Sequence, residues 1–273
     1  MKRFLSIALA ALLAIVARAA TVELLQFNSP YLGSTENVTV ITPDCAANPG
    51  VKLPVVYMLN GHSGDHLTWI YLRPDLTQLA DKYGMIMVCP HGQDSWYWDS
   101  PVDSTMQMES YITRELVPYI DSHYPTLAEA SQRAIMGLSM GGHGALWLAM
   151  RHPDIWGNAG SMSGGVDIRP FPDSWHMKDR LGTLKANPRR WDEHTVINLV
   201  PSLKPGELNI TFDCGTDDFF ATVNGNLHRA LTEAGIAHDY TVRPGAHTGK
   251  YWHDSIPHHL VFFDQKFRDA RKK

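Results

Sequence analysis

After the apolar run Ala134-Ile135-Met136 the chain reads Gly137-Leu138-Ser139-Met140-Gly141-Gly142. It then passes at once into His143-Gly144-Ala145-Leu146-Trp147-Leu148-Ala149, a helical pattern. A strand, so tight a turn and a helix in that order leave few folds open. Side chains at the flanking positions would collide with the adjoining strand or helix, so glycine is required there, and the backbone at the serine is strained. The Ser139 hydroxyl is thereby exposed at a helix N-terminus, where the helix dipole and free N–H groups favour a developing negative charge.

Elsewhere, short apolar runs bounded by Gly, Pro or Asp recur at residues 53–59, 85–89, 133–137, 157–162, 208–214 and 238–243. Helical patterns separate most of them, at 75–83, 106–122 and 227–234, and 256–271 closes the chain. Residues 22–27 and 38–41 read as two opening strands around turns. Strands alternating with helices imply βαβ units, hence an α/β fold with a mostly parallel central sheet and helices on both faces. Pro54-Val55-Val56-Tyr57-Met58-Leu59 is apolar throughout, as a strand buried on both faces requires. In such a sheet chemistry gathers beyond the carboxyl ends of the strands.

The first residues stand apart from this pattern. Lys2 and Arg3 precede an apolar run from Phe4 to Val16, followed by Ala17-Arg18-Ala19, the order of a secretory signal and its cleavage site. The run is shorter than the ~20 residues a membrane-spanning helix needs. Residues 1–20 are therefore expected to be a signal peptide and residues 21–273 one domain, secreted or periplasmic, with no membrane span. No internal repeat interrupts that domain. The chain has 24 Lys+Arg against 28 Asp+Glu, a net charge of -4, which gives no footprint for nucleic acid. Cys45, Cys89 and Cys214 allow one disulfide at most, in three pairings, and match no zinc spacing. Cys89 and Cys214 end strand-like runs and read as small buried hydrophobes. Asn37-Val38-Thr39 is a formal glycosylation sequon.

A serine hydroxyl becomes a nucleophile only when a base takes its proton. Of the 14 histidines, chain order selects one on a loop after the last strand. Pro244-Gly245-Ala246-His247-Thr248-Gly249 supplies His247. His253 is the nearest rival, on or near the last helix; His258 and His259 lie inside it. His62 and His66 are spaced four apart but in non-helical surroundings, which argues against a metal site. The carboxylate should follow the strand at 208–212. There Asp213, Asp217 and Asp218 are available: Asp213 suits an anchoring role, and spacing does not separate the other two. A tetrahedral oxyanion needs two N–H donors, one from Met140 and one from the Gly-rich turn Leu59-Asn60-Gly61-His62-Ser63-Gly64, where His62 is best placed.

Together these stretches resemble the esterase D branch of the α/β-hydrolases, which includes carbohydrate esterase family one and the mycolyltransferases. The likeness rests on Leu59-Asn60-Gly61-His62, Ser139-Met140-Gly141-Gly142 with its flanks, Cys214-Gly215-Thr216-Asp217-Asp218-Phe219-Phe220 and Pro244-Gly245-Ala246-His247. It implies Asp218 as the acid, since in this family the acid stands fourth in the Gly-x-x-Asp stretch. It also implies His62 and Met140 as oxyanion donors. The activity it implies is cofactor-free hydrolysis of carboxylic esters, on small molecules or on polysaccharides, as in feruloyl and acetyl esterases. Acyl transfer of the mycolyltransferase type and S-formylglutathione hydrolysis are the alternatives, and a non-catalytic binding protein a third. The export signal and the lack of a cysteine after Gly61 argue against S-formylglutathione as substrate. Residues 166–204 form a long connection expected to cover the site. Phe171, Trp175, Met177 and Trp191 on it could line a pocket or bury it, and Trp96, Tyr97 and Trp98 could form an aromatic wall. Trp175 and Trp98 are the expected substrate contacts.

Overall fold

A computed structural model describes residues 19–272. The expected signal peptide falls almost wholly on residues 1–18, outside the described residues. Eight strands, β1 (Thr21–Ser29), β2 (Ser34–Thr42), β3 (Val55–Leu59), β4 (Ile86–Pro90), β5 (Arg133–Leu138), β6 (Asn158–Met162), β7 (Asn209–Gly215) and β8 (His238–Arg243), form one sheet in the order β1-β2-β4-β3-β5-β6-β7-β8. The pairs β1–β2 and β2–β4 are antiparallel; all others are parallel. The mostly parallel α/β architecture expected from the sequence is observed.

The helices are α1 (Thr68–Leu72), α2 (Leu76–Tyr83), α3 (Met108–Ser110), α4 (Val117–His123), α5 (Met140–Arg151), α6 (Met177–Leu181), α7 (Pro188–Glu193), α8 (Ala221–Glu233) and α9 (Gly249–Ala270). A π-helical turn, Tyr111–Leu116, joins α3 to α4. The last helix begins about two turns before the expected residue 256 because Thr248 caps it, its hydroxyl accepting the Tyr251 N–H. Pro257 sits inside that helix.

Alternation along the strands divides the core in two. Val55, Tyr57 and Leu59 of β3 join the layer that holds α5, whereas Val56 and Met58 join the layer under α1, α2 and α9. Helix α5 is buried on every side apart from Arg151 at its end, so its fit against the sheet fixes where its N-terminus lies. Cys89 and Cys214 are buried and free, and Cys45 is free and half-buried. Among the described residues no helix is long and apolar enough to cross a membrane.

One buried carboxylate ties α3 to the far end of α5. Glu109 accepts from Trp147 Nε1 at 2.9 Å, Arg151 Nε at 2.9 Å and His152 Nε2 at 2.7 Å. Burial pushes its carboxyl up, but the His152, Arg151 and Trp147 donors outweigh that and hold it below the usual glutamate range. The stabilisation is therefore present above the unfolded glutamate pKa of about 4.3 and fades as pH falls through the lower folded value. Glu109→Gln is expected to lower the unfolding free energy by about 1–3 kcal/mol at neutral pH. In urea titrations the gap to wild type should narrow below pH ~4; a gap independent of pH would refute the assignment.

Candidate active site

The turn after β5 is built by close approach. A Cβ on Gly137 would lie 2.1 Å from the Gly141 carbonyl oxygen, and one on Gly141 2.1 Å from that of Leu59. Only glycine lets α5 seat so near β3 and β5. Between them Ser139 takes φ 56°, ψ -117°, a conformation that disfavours a side chain and persists only where packing over-determines it. Its N–H donates to the Met162 carbonyl at 2.9 Å, which fixes the turn against β6.

Two loops from distant parts of the chain meet this serine. His247 lies between β8 and α9, and its Nε2 stands 2.9 Å from Ser139 Oγ. Its Nδ1 is 2.9 Å from Asp218 Oδ2 and 3.1 Å from Oδ1. With Nδ1–H donated to the carboxylate, Nε2 is the acceptor for the serine proton. The Asp218 side chain is fully buried and also accepts the Phe220 N–H at 2.8 Å. Asp217 points its carboxylate outward and uses its backbone N–H on the Gly245 carbonyl, 2.8 Å away. The two adjacent aspartates that spacing leaves equivalent are thus separated by the turn. His253 is half-buried on α9 and pairs with Asp254.

The Gly61–Gly64 turn packs directly on the serine: a Cβ at Gly61 would lie 3.3 Å from Ser139 Cβ. Asn60 holds this turn, donating to the Gly61 carbonyl and accepting the Gly92 N–H, both at 2.8 Å, while Tyr97 Oη donates to its carbonyl at 3.0 Å. The His62 N–H has no acceptor among the described residues. Met140, first residue of α5, has no intrahelical acceptor for its N–H. Both suit an incoming oxyanion. The His62 imidazole stacks on His176 with centroids 5.6 Å apart. Burial lowers its pKa, partly offset by Asp94 and reinforced by His176. His66 is buried on Thr39 Oγ1 at 2.8 Å.

Ser139, His247 and His62 share a cleft of about 290 Å³, with Leu138, Thr68, Trp175 and Trp252 in its walls. Trp252, which the sequence reading did not single out, meets the His247 ring edge to face at 4.9 Å. Phe219, half exposed, lies 4.3 Å from the same ring. A larger hollow of about 760 Å³ opens beside Glu109, Trp147 and Arg151, at the far end of α5 from Ser139.

The aromatic expectations need correction. Trp175 reaches the cleft, but Trp98 does not: it is fully buried, and its Nε1 donates to His143 Nε2 at 2.8 Å. His143 in turn donates Nδ1–H to the Gly165 carbonyl at 2.9 Å, and burial pushes its pKa down to about 3. Trp96 and Tyr97 are buried beside it, so these three residues support the site from behind. Met177 and Trp191 bury the long connection in the core; Phe171 is half-buried against Trp175 and Phe220.

Comparison with known proteins places this geometry. A family model described as putative esterase matches residues 29–263. The mouse S-formylglutathione hydrolase (Mus musculus) is 27% identical over 245 residues, 78% of this chain and 84% of that protein. The solved structure of a ferulic acid esterase superposes with a TM-score of 0.78 at 27% identity, covering 90% of this chain and 98% of that one. FphF, a fluorophosphonate-binding serine hydrolase of Staphylococcus aureus, shares the fold with a TM-score of 0.79 at 22% identity, over 90% and 98% of the two chains. The fold is that of the α/β-hydrolase esterases.

Two glycine substitutions should act with opposite sign. Gly141→Ala, facing the Leu59 carbonyl, is expected to destabilise by about 1–3 kcal/mol or more and to slow reaction at Ser139. Gly225→Ala in α8, where a Cβ meets nothing within 4 Å, should stabilise by about 0.8–1 kcal/mol. Denaturant unfolding of both variants checks this; equal effects would contradict the packing argument.

Proposed function

We propose that this chain, which belongs to the putative esterase family, is a secreted serine carboxylesterase that works through an acyl-enzyme. The observation that carries the reading is the continuous hydrogen-bonded line from Ser139 Oγ through His247 to a fully buried Asp218. Ser139 Oγ attacks the ester carbonyl carbon while His247 Nε2 takes its proton. The carbonyl oxygen becomes an oxyanion held by the His62 and Met140 N–H groups, each such donor contributing about 2.7–4 kcal/mol to the transition state. The intermediate collapses as His247 protonates the departing alcohol. Water, deprotonated by the same imidazole, then releases the acid. Asp218 holds the tautomer and stabilises the imidazolium. These residues need no cofactor or metal.

The cleft's modest volume suits a short acyl group or one flat aryl acyl group between Trp175 and Trp252. With the expected signal peptide and the ferulic acid esterase likeness, this favours acetyl or feruloyl esters carried on carbohydrate as the substrate class. The mouse relative's name supports a second reading, hydrolysis of an S-formylglutathione-like thioester, by the same residues.

A fluorophosphonate probe is expected to label wild type and not Ser139→Ala; labelling that survives the substitution would remove the nucleophile. Asp218→Asn should lower kcat by about 10⁴-fold, the scale of a lost tautomer, and Asp217→Asn should leave it near wild type. The reverse order would move the acid. Methyl ferulate, acetylated xylan and S-formylglutathione assayed side by side decide the substrate, and Trp175→Ala should raise KM most for the aryl ester. Fastest turnover of the thioester would favour the second reading.

A further inference from the structure

Helix α9 follows His247 directly, and three of its residues spaced four apart, Tyr251, Ser255 and His259, engage the carboxyl ends of β7 and β8. Asp213, buried in β7 five residues before Asp218, accepts from the Ser255 hydroxyl at 3.0 Å and from His259 Nε2 at 2.8 Å. Arg243, the last residue of β8 and four before His247, donates to the Ser255 hydroxyl and stands 3.5 Å from Asp213. Its guanidinium lies over the Tyr251 ring, 4.9 Å from the centroid. That ring also packs on Gly245, where a Cβ would come within 2.6 Å of it.

A buried carboxylate is a poor way to gain stability, since apolar residues of similar volume often hold an interface as firmly. Apolar contacts, however, tolerate sliding and rotation, whereas hydrogen bonds to two oxygens of one carboxylate fix direction and register. The acid and base loops are already tied to each other, Thr216 N–H to the Arg243 carbonyl at 2.9 Å and Asp217 N–H to that of Gly245 at 2.8 Å. Asp213 adds the third body, the helix that leads away from His247. Misplacement of a reacting group by about 1 Å can lower a rate 100-fold, so the register of α9 bears directly on the 2.9 Å contact between His247 and Ser139.

We infer that Asp213, with Arg243, Ser255 and His259 around it, is a positioning residue that aligns the Asp218–His247 pair on Ser139; this rests on the serine esterase reading above. Asp213 acts through the loops and α9, without contact to substrate. The test uses the whole protein, with kcat per fluorophosphonate-titrated site, KM, melting temperature, and the downfield proton signal of His247 Nδ1–H. Asp213→Asn and His259→Leu are expected to lower kcat by about 10–100-fold with little change in KM, and to shift or broaden that signal. His259→Gln, whose amide can still donate to Asp213, should keep most of both. Phe267→Leu, a buried α9 change two turns beyond His259, should lower the melting temperature without altering kcat or the signal. Wild-type kcat and an unmoved signal in Asp213→Asn would overturn the inference, as would equal loss of kcat in Phe267→Leu. If Asp213→Asn does not fold, the His259 pair decides: equal activity in Leu and Gln variants overturns it. Absence of probe labelling in wild type would instead defeat the nucleophile assignment on which it stands.

Discussion

Everything at the site depends on how near α5 can come to the sheet. The helix enters at Met140 with glycines facing the backbone of β3 and β5, and the contact distances leave no space for a methyl group. This close approach holds Ser139 in a conformation it would not choose in isolation. Because α5 is buried along nearly its whole length, the strain is opposed by a large apolar contact area. The same packing places the Gly61 turn against the serine, so the proposed nucleophile and oxyanion donors are set by one interaction.

Polar groups in the interior then orient what the apolar core only brings near. His143 is kept neutral by burial and joins Trp98 to the Gly165 carbonyl behind the cleft. Asn60 and Tyr97 hold the Gly61 turn, and Asp213 collects two α9 side chains at the ends of β7 and β8. Each is buried and hydrogen-bonded, as interior polar groups must be. Their common effect is to constrain the loops around the cleft.

Much of this was legible in the sequence. All six strand runs after residue 50 fall within a residue or two of the observed strands; for β3, β4 and β5 the reason is that fully buried parallel strands are nearly pure apolar segments, whereas β8 has no buried residue. Ser139 and His247 could be chosen from motif and chain order, and resemblance separated Asp218 from Asp217. Trp98 shows where such reading stops. An aromatic residue after a strand end is equally consistent with a cleft wall and with a core position, and only the three-dimensional neighbours of its indole nitrogen distinguish them. Trp252 escaped notice for the opposite reason: it stands in no motif that separates it from an ordinary helix residue.

By itself the sequence determined the order of strands and helices, the sharp turn that presents Ser139, and the residue types able to complete its chemistry. These are local properties, written in apolar periodicity and in glycines that a tight backbone demands. The tertiary structure decided how close Ser139, His247 and Asp218 come to one another, and which aromatic rings face the cleft or the core. Such choices turn on a few ångströms between loops separated by dozens of residues, a distance set by the packing of the whole sheet.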